Sequence, residues 1–206
     1  MDARETAAIL LDANALKFNV EKPYVFASGI KSPVYMDCRI LMSNVGKRRM
    51  IVESMVGVVS SLDFDVVAGT ASAGIPWASW LSESVSKPMV YVRKAEKEHG
   101  RGKKIEGTIP DGASTLLVED LVSTGMSSLA AVQSLRNEGA KVSECVSIFQ
   151  YGMPEAISAF KTSAVKLHSL SNFKVACEVA LENKYLNKAD ASKALEWMSN
   201  PRGWSK

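Results

Sequence analysis

Thr115-Leu116-Leu117-Val118-Glu119-Asp120-Leu121-Val122-Ser123-Thr124-Gly125-Met126-Ser127 is the stretch on which the fold turns. Thr115 to Val118 form an apolar strand that delivers two adjacent carboxylates, Glu119 and Asp120, to its carboxyl end. A short loop follows with two hydroxyls, Ser123 and Thr124, and one glycine, Gly125. The pattern then becomes helical from Ser127 to Glu138 and stops at Gly139. On either side the same alternation repeats. Val66-Val67-Ala68 reads as a strand and Pro76 to Leu81 as the start of a helix. Met89 to Val92 and Val142 to Phe149 read as strands, Pro154 to Phe160 as a helix, and Ala164 to Leu170 as a last strand. Short apolar strands alternating with helices predict an α/β fold: a doubly wound, mostly parallel sheet covered on both faces. Ligands of such sheets bind beyond the carboxyl ends of the strands. The loops after Ala68, Val92 and Val118 are therefore where chemistry is expected.

The ends of the chain add to this core. Ile9, Leu10, Ala13 and Leu16 share one helical face and predict an opening helix. Tyr24-Val25-Phe26 and Val34-Tyr35-Met36 are strand-like runs around Ser28-Gly29, expected to form a small hairpin or flap. Ile51, Met55, Val58, Val59 and Leu62 follow a second helical period. The expected organisation is a single domain over 1–206, with a helix-and-flap hood over 1–42, the core sheet over 43–170 and C-terminal helices over 171–206.

Bulk properties narrow the class. Of 206 residues, 47% are hydrophobic and 23% charged, which fits a globular protein with a real core. The formal net charge of +3 is too small to argue for nucleic acid. Cys38, Cys145 and Cys177 are widely spaced and odd in number, with no C-x-x-C and no Cys/His cluster. A disulfide framework and a protein-ligated metal site are therefore not expected. Asp2 and Glu5 interrupt the N-terminus, which lacks the long apolar core of a signal peptide. The uncharged stretch from Val66 to Ser82 carries Gly69, Gly74 and Pro76 and does not read as a membrane span. A cytoplasmic protein is expected.

The chemistry follows from the loops. Adjacent carboxylates can accept hydrogen bonds from the vicinal hydroxyls of a sugar. The backbone N–H groups after them, the hydroxyls of Ser123 and Thr124, and a helix N-terminus form a cradle for a phosphate. One loop can thus hold both ends of a ribose 5-phosphate. It is neither a Walker loop nor a Rossmann fingerprint. The plainer alternative is a polar strand end facing water, with a capped helix behind it. A second loop, Arg93-Lys94-Ala95-Glu96-Lys97-Glu98-His99-Gly100-Arg101-Gly102-Lys103-Lys104-Ile105-Glu106-Gly107, holds six Lys/Arg, three glutamates and three glycines. It can close over a polyphosphate and exclude water, or it can be a solvated basic loop. A third, Gly69-Thr70-Ala71-Ser72-Ala73-Gly74, has side chains small enough for an anion to reach the backbone amides, or is a tight turn chosen for packing. His168, in a late apolar strand, reads as a core histidine.

The thirteen-residue run closely resembles the phosphoribosyl-pyrophosphate signature of the type I phosphoribosyltransferases. The pattern R-K-x-x-K-x-H-G, carried here by Arg93, Lys94, Lys97 and His99, resembles the catalytic lid of the orotate phosphoribosyltransferases. Phe26-Ala27-Ser28-Gly29-Ile30-Lys31-Ser32-Pro33-Val34-Tyr35 resembles their orotate-binding flap. The resemblance spans Ser28 to Phe149. It implies transfer of ribose 5-phosphate from 5-phosphoribosyl 1-diphosphate to orotate, giving orotidine 5'-phosphate and diphosphate in pyrimidine biosynthesis. It implies Glu119 to Ser127 as the ribose-phosphate loop, with Thr70, Ala71 and Ser72 as the pyrophosphate loop. It implies Ser123, Lys31 and Tyr35 at the orotate, Mg²⁺ as cofactor, and a homodimer whose lids are shared between subunits. One branch of the family has lysine, arginine and an aromatic residue where Ala73, Tyr151 and Met36 stand here. The alternatives are a phosphoribosyltransferase for another base, such as a purine, or a non-catalytic regulator that senses phosphoribosyl pyrophosphate. The flap and the complete lid speak against both.

Overall fold

The computed structural model describes residues 1–25, 29–94, 104–201 and 203–204. The chain opens with α1 (Ala3–Asp12), capped by Asp2 in a reciprocal pair with Glu5. Leu16, expected on that helix, belongs instead to β1 (Leu16–Phe18), because the helix is already capped at Ala13 and Asn14 takes a left-handed φ of 54°. The expected single hairpin is two ribbons. β2 (Tyr24–Val25) pairs antiparallel with β3 (Lys31–Ser32), while β4 (Val34–Met36) pairs with β1. Pro33 separates them: it has no N–H for a ladder, and its carbonyl accepts from Asn19 N–H at 2.7 Å. A 3-10 helix, Cys38–Ser43, leads into α2 (Val45–Val59), capped by Asn44.

The core follows, strands alternating with helices except across β6 to β8: β5 (Val66–Thr70), α3 (Gly74–Val85), β6 (Met89–Val92), β7 (Ile105–Glu106), β8 (Ser114–Val122), α4 (Met126–Asn137), β9 (Lys141–Gln150), α5 (Pro154–Thr162) and β10 (Lys166–Asn172). The helices α6 (Phe173–Glu182) and α7 (Lys188–Ser199) end it. Six strands form one sheet in the order β10-β9-β8-β5-β6-β7, all parallel except the short edge strand β7. The central strands are sealed on both faces; every residue of β5 is buried. This is why they read as continuous apolar runs rather than alternating ones. Among the described residues, no helix is long and apolar enough to cross a membrane.

The order of the strands positions the site. From β5 the chain crosses to β6 on one side, and from β8 it crosses to β9 on the other. Right-handed crossovers then put α3 and α4 on opposite faces, with α2 packed beside α3 and α5 beside α4. The loops after β5 and β8 diverge, and a crevice opens between them at the carboxyl end of the sheet.

Candidate active site

The register of the sheet sets the crevice floor. Gly69 lies opposite Val118 and Thr70 opposite Val92, so Thr70, Glu119 and Arg93 reach the carboxyl edge at nearly one level. Two close approaches hold α3 against this edge. A side chain at Gly74 would put its Cβ 2.6 Å from the Val118 carbonyl oxygen, and one at Gly69 would come within 2.9 Å of Ala78 Cβ. Only hydrogen fits at either position.

The strand β8 is longer than the sequence suggested. It continues through Asp120 to Val122, paired with β9 as far as Val122 and Gln150. The carboxylates therefore stand on the strand, not on the loop, and successive side chains leave it in opposite directions. Glu119 is 4% exposed. Its Oε1 accepts a 3.0 Å hydrogen bond from Ser128 Oγ at the start of α4. The buried Thr70 hydroxyl has no well-aligned partner, yet it lies close enough to favour the ionised carboxylate. Burial and the charge of Asp120 together outweigh these two hydroxyls and push Glu119 up to about 7. Asp120 is also raised, by burial with a small addition from Asp37; the backbone N–H groups of Asp120 and Leu121, and then the Arg39 guanidinium, oppose this. Its backbone carbonyl accepts from Cys38 Sγ at 3.4 Å.

A cavity of about 350 Å³ fills the crevice, and Glu119, Asp120, Leu121 and Ser127 line one side of it. Thr70, Ala71, Ser72, Ala73 and Lys94 line the other, and Met36, Asp37 and Arg39 of the hood close the end. A smaller cavity of about 190 Å³ adjoins it under Arg93, Lys94 and Lys104. Two helix N-termini border the crevice, α3 at Ala73 and α4 at Gly125, and neither has a side-chain cap. α5, which starts at Pro154, also lacks one, whereas α1, α2, α6 and α7 are capped by Asp or Asn. Uncapped N–H groups at a helix start are the kind a phosphate can satisfy. Gly125 adopts a φ of +80° to turn the chain into α4.

The remaining residues named from sequence fall in different places. Ser123 and Met126 are exposed, Thr124 is half-buried, and Val122 is buried, so Val122 faces the loop only through its backbone. Arg93 is half-buried, 3.6 Å from Glu106, and Lys94 is exposed. Lys97 and His99 lie outside the described residues. Tyr35 is partly exposed and packs on Tyr24 with ring centroids 5.4 Å apart. Lys31 lines a separate cavity of about 550 Å³ with Lys193, Glu196 and Trp204. His168 is half-buried and bonds Glu144 at 2.6 Å on the neighbouring strand, away from the crevice.

Sequence reasoning missed Asp37, Arg39 and Ser128. Arg39 makes a forked pair with Asp37 at 2.7 and 2.9 Å, which holds Asp37 below its ordinary value, and its charge also favours ionised Asp120. The spacing Asp-x-Arg directly after the flap was the available signal. Ser128 carried none, because a serine in the first turn of a helix is ordinary. Among the described residues, no three or more His, Cys, Asp or Glu gather as a metal-holding group. Two hard carboxylates on one rim still suit a Mg²⁺ ion that arrives on a polyphosphate and keeps several waters.

The chain has relatives of known family. Residues 54–180 match the family model of the phosphoribosyl transferase domain. A curated protein of Coxiella burnetii, an orotate phosphoribosyltransferase, is 42% identical over 204 residues, covering 98% of each chain. The crystal structure of orotate phosphoribosyltransferase from Aeropyrum pernix superposes with a TM-score of 0.76 at 27% identity, covering 88% of this chain and 99% of that one. The structure of Leishmania donovani UMP synthase gives a TM-score of 0.83 at 23% identity, over 95% of this chain and 42% of that one, a likeness of fold.

Proposed function

The chain belongs to the orotate phosphoribosyltransferases, and from that premise we propose how its own residues perform the transfer. The enzyme moves ribose 5-phosphate from 5-phosphoribosyl 1-diphosphate to orotate, a step of pyrimidine biosynthesis. The bond between the anomeric carbon and pyrophosphate breaks, and pyrophosphate leaves with its electron pair. A bond from the orotate ring nitrogen replaces it through an oxocarbenium-like transition state. Orotate's ring nitrogen can give up its proton to water before it attacks, so no strong protein base is needed.

Glu119 and Asp120 accept hydrogen bonds from the ribose hydroxyls. The N–H groups and hydroxyls from Leu121 to Ser127 receive the 5-phosphate, and Thr70, Ala71 and Ser72 receive the pyrophosphate. Ser123, Lys31 and Tyr35 are assigned to orotate, with Lys31 answering its carboxylate, although Lys31 lines a cavity separate from the crevice in this structure. Arg93, Lys94, Lys97 and His99 close over the reacting centre, align it and limit hydrolysis. Mg²⁺, met by the carboxylate rim and the substrate's phosphates, would offset charge on pyrophosphate when bound. The protein works as a homodimer in the cytoplasm.

The observation that carries this reading is the convergence at one crevice. The carboxylates of β8, the small-residue loop after β5 and the uncapped N-terminus of α4 all border one cavity. The test is a spectrophotometric assay of orotate consumption with phosphoribosyl pyrophosphate and Mg²⁺, run in competition with uracil, adenine and hypoxanthine. Orotate is the base consumed. Equal or better turnover of a purine would overturn the assignment to orotate.

A further inference from the structure

Among the described residues, the ribbon of β2 and β3 has two paired positions, Tyr24 with Ser32 and Val25 with Lys31. So short a hairpin does not hold itself in water. Its position must come from contacts outside it. One is the Tyr24 ring on Tyr35 of β4. Another comes from the far end of the chain: Trp197 Nε1–H of α7 donates to the Lys31 carbonyl oxygen at 2.9 Å. Trp197 is fully buried, and its ring is fixed by Phe173 at 5.6 Å and Tyr151 at 5.7 Å between centroids. Tyr151 in turn follows β9, and its backbone N–H donates to the Val122 carbonyl at 3.0 Å, one residue before Ser123. A block of buried aromatic rings thus has the flap on one side and the ribose-phosphate loop on the other.

We infer that Trp197 is a positioning residue for orotate, its indole N–H holding the Lys31 backbone and so setting the flap at a fixed distance from the ribose-phosphate loop. The inference rests on the reading of the flap as the orotate-binding element. A close-packed interior transmits a fixed spacing rather than absorbing it, whereas the two-pair ribbon cannot keep its place alone. Loss of the N–H leaves the rings in contact and frees the Lys31 carbonyl from its anchor. The base then meets a flap that must be ordered at the moment of binding.

The test is Trp197→Phe, which keeps an aromatic ring and removes the donor. Wild type and variant are compared for kcat, for KM toward orotate and toward phosphoribosyl pyrophosphate, and for Tm. KM for orotate should rise roughly three- to tenfold, the scale of one lost hydrogen bond. KM for phosphoribosyl pyrophosphate should stay within about twofold on the same scale. Unchanged KM for orotate, or a parallel rise of both constants, would overturn the inference. Trp197→Met, which fills the site without a donor, supplies the same comparison should the Phe variant fail to fold. Wild-type protein that consumes no orotate would overturn the functional reading first, and this inference with it.

Discussion

Ser128 Oγ donates to Glu119 Oε1 at 3.0 Å, which ties the buried end of β8 to the first turn of α4. The bond does two things. It fixes the inner carboxylate of the crevice, and it favours the ionised form against the burial that pushes Glu119 up to about 7. Ionised Glu119 is the better acceptor for ribose hydroxyls. The acid limb of kcat/KM for phosphoribosyl pyrophosphate should therefore fall as pH drops through about 7. Ser128→Ala should move that limb to higher pH and weaken transition-state binding at pH 7 by about 1–2 kcal/mol. Ser128→Thr should restore the profile. A limb that does not move in the Ala variant would show that the hydroxyl does not control Glu119.

The same shift makes a stability prediction. Glu119 titrates at about 7 in the folded chain against an ordinary 4.5. A raised folded value means stability that is complete below 4.5 and lost as pH rises through about 7. The cost at alkaline pH is about 3 kcal/mol, from the free energy of one pKa unit. Glu119→Gln has no charge to bury. Its Tm should exceed that of wild type at pH 8 and match it near pH 4, while activity falls. Thermal unfolding of both proteins across that range measures the difference. Equal pH dependence in the two would remove Glu119 as its source.

These two effects also mark where sequence reading stopped. The alternation of apolar strands and helices was legible because parallel strands buried on both faces, such as Val66 to Thr70, have no polar side to break the run. The run from Thr115 to Ser127 was legible as strand, acidic pair and helix start for the same reason. The flap pairing was not, because β2, β3 and β4 are two or three residues long and choose partners by tertiary contacts such as Tyr24 on Tyr35. Nor did sequence show that Glu119 is sealed under Thr70 and Ser128, since burial of a carboxylate depends on which helix lands above it. Lys31 illustrates a further limit. Its number on the flap was evident, but the cavity it lines also needs Lys193, Glu196 and Trp204 from the other end of the chain.

Gly125 is the hinge between the carboxylate strand and α4. Its φ of +80° is costly for any side chain, and a Cβ there would lie 2.9 Å from Phe160 Cε2. Gly125→Ala should destabilise the fold by roughly 1–2 kcal/mol from the left-handed backbone, with an added cost as Phe160 shifts. Because the displaced segment carries the uncapped N–H groups of α4, KM for phosphoribosyl pyrophosphate should rise more than KM for orotate. Phe160→Leu in the same chain should recover part of the stability by making room. No recovery would place the whole cost in the backbone conformation.

Sharing of the lid between subunits is open to a test by symmetry. One variant loses the lid groups, Lys97→Ala with His99→Ala. A second loses the carboxylates, Glu119→Ala with Asp120→Ala. Each homodimer should be nearly inactive, because every site in it lacks one half of its machinery. After mixing and subunit exchange, about half the dimers are hybrid if assortment is random. In each hybrid, one site joins intact carboxylates to the partner subunit's intact lid, and the other joins two damaged parts. Activity should recover to about a quarter of wild type by the same counting. A lid that serves its own subunit leaves no intact site in any hybrid, since each chain carries one damaged half. Exchange is verified independently by mass spectrometry of differently tagged subunits. Proven exchange with no recovery would therefore assign each lid to its own subunit's crevice.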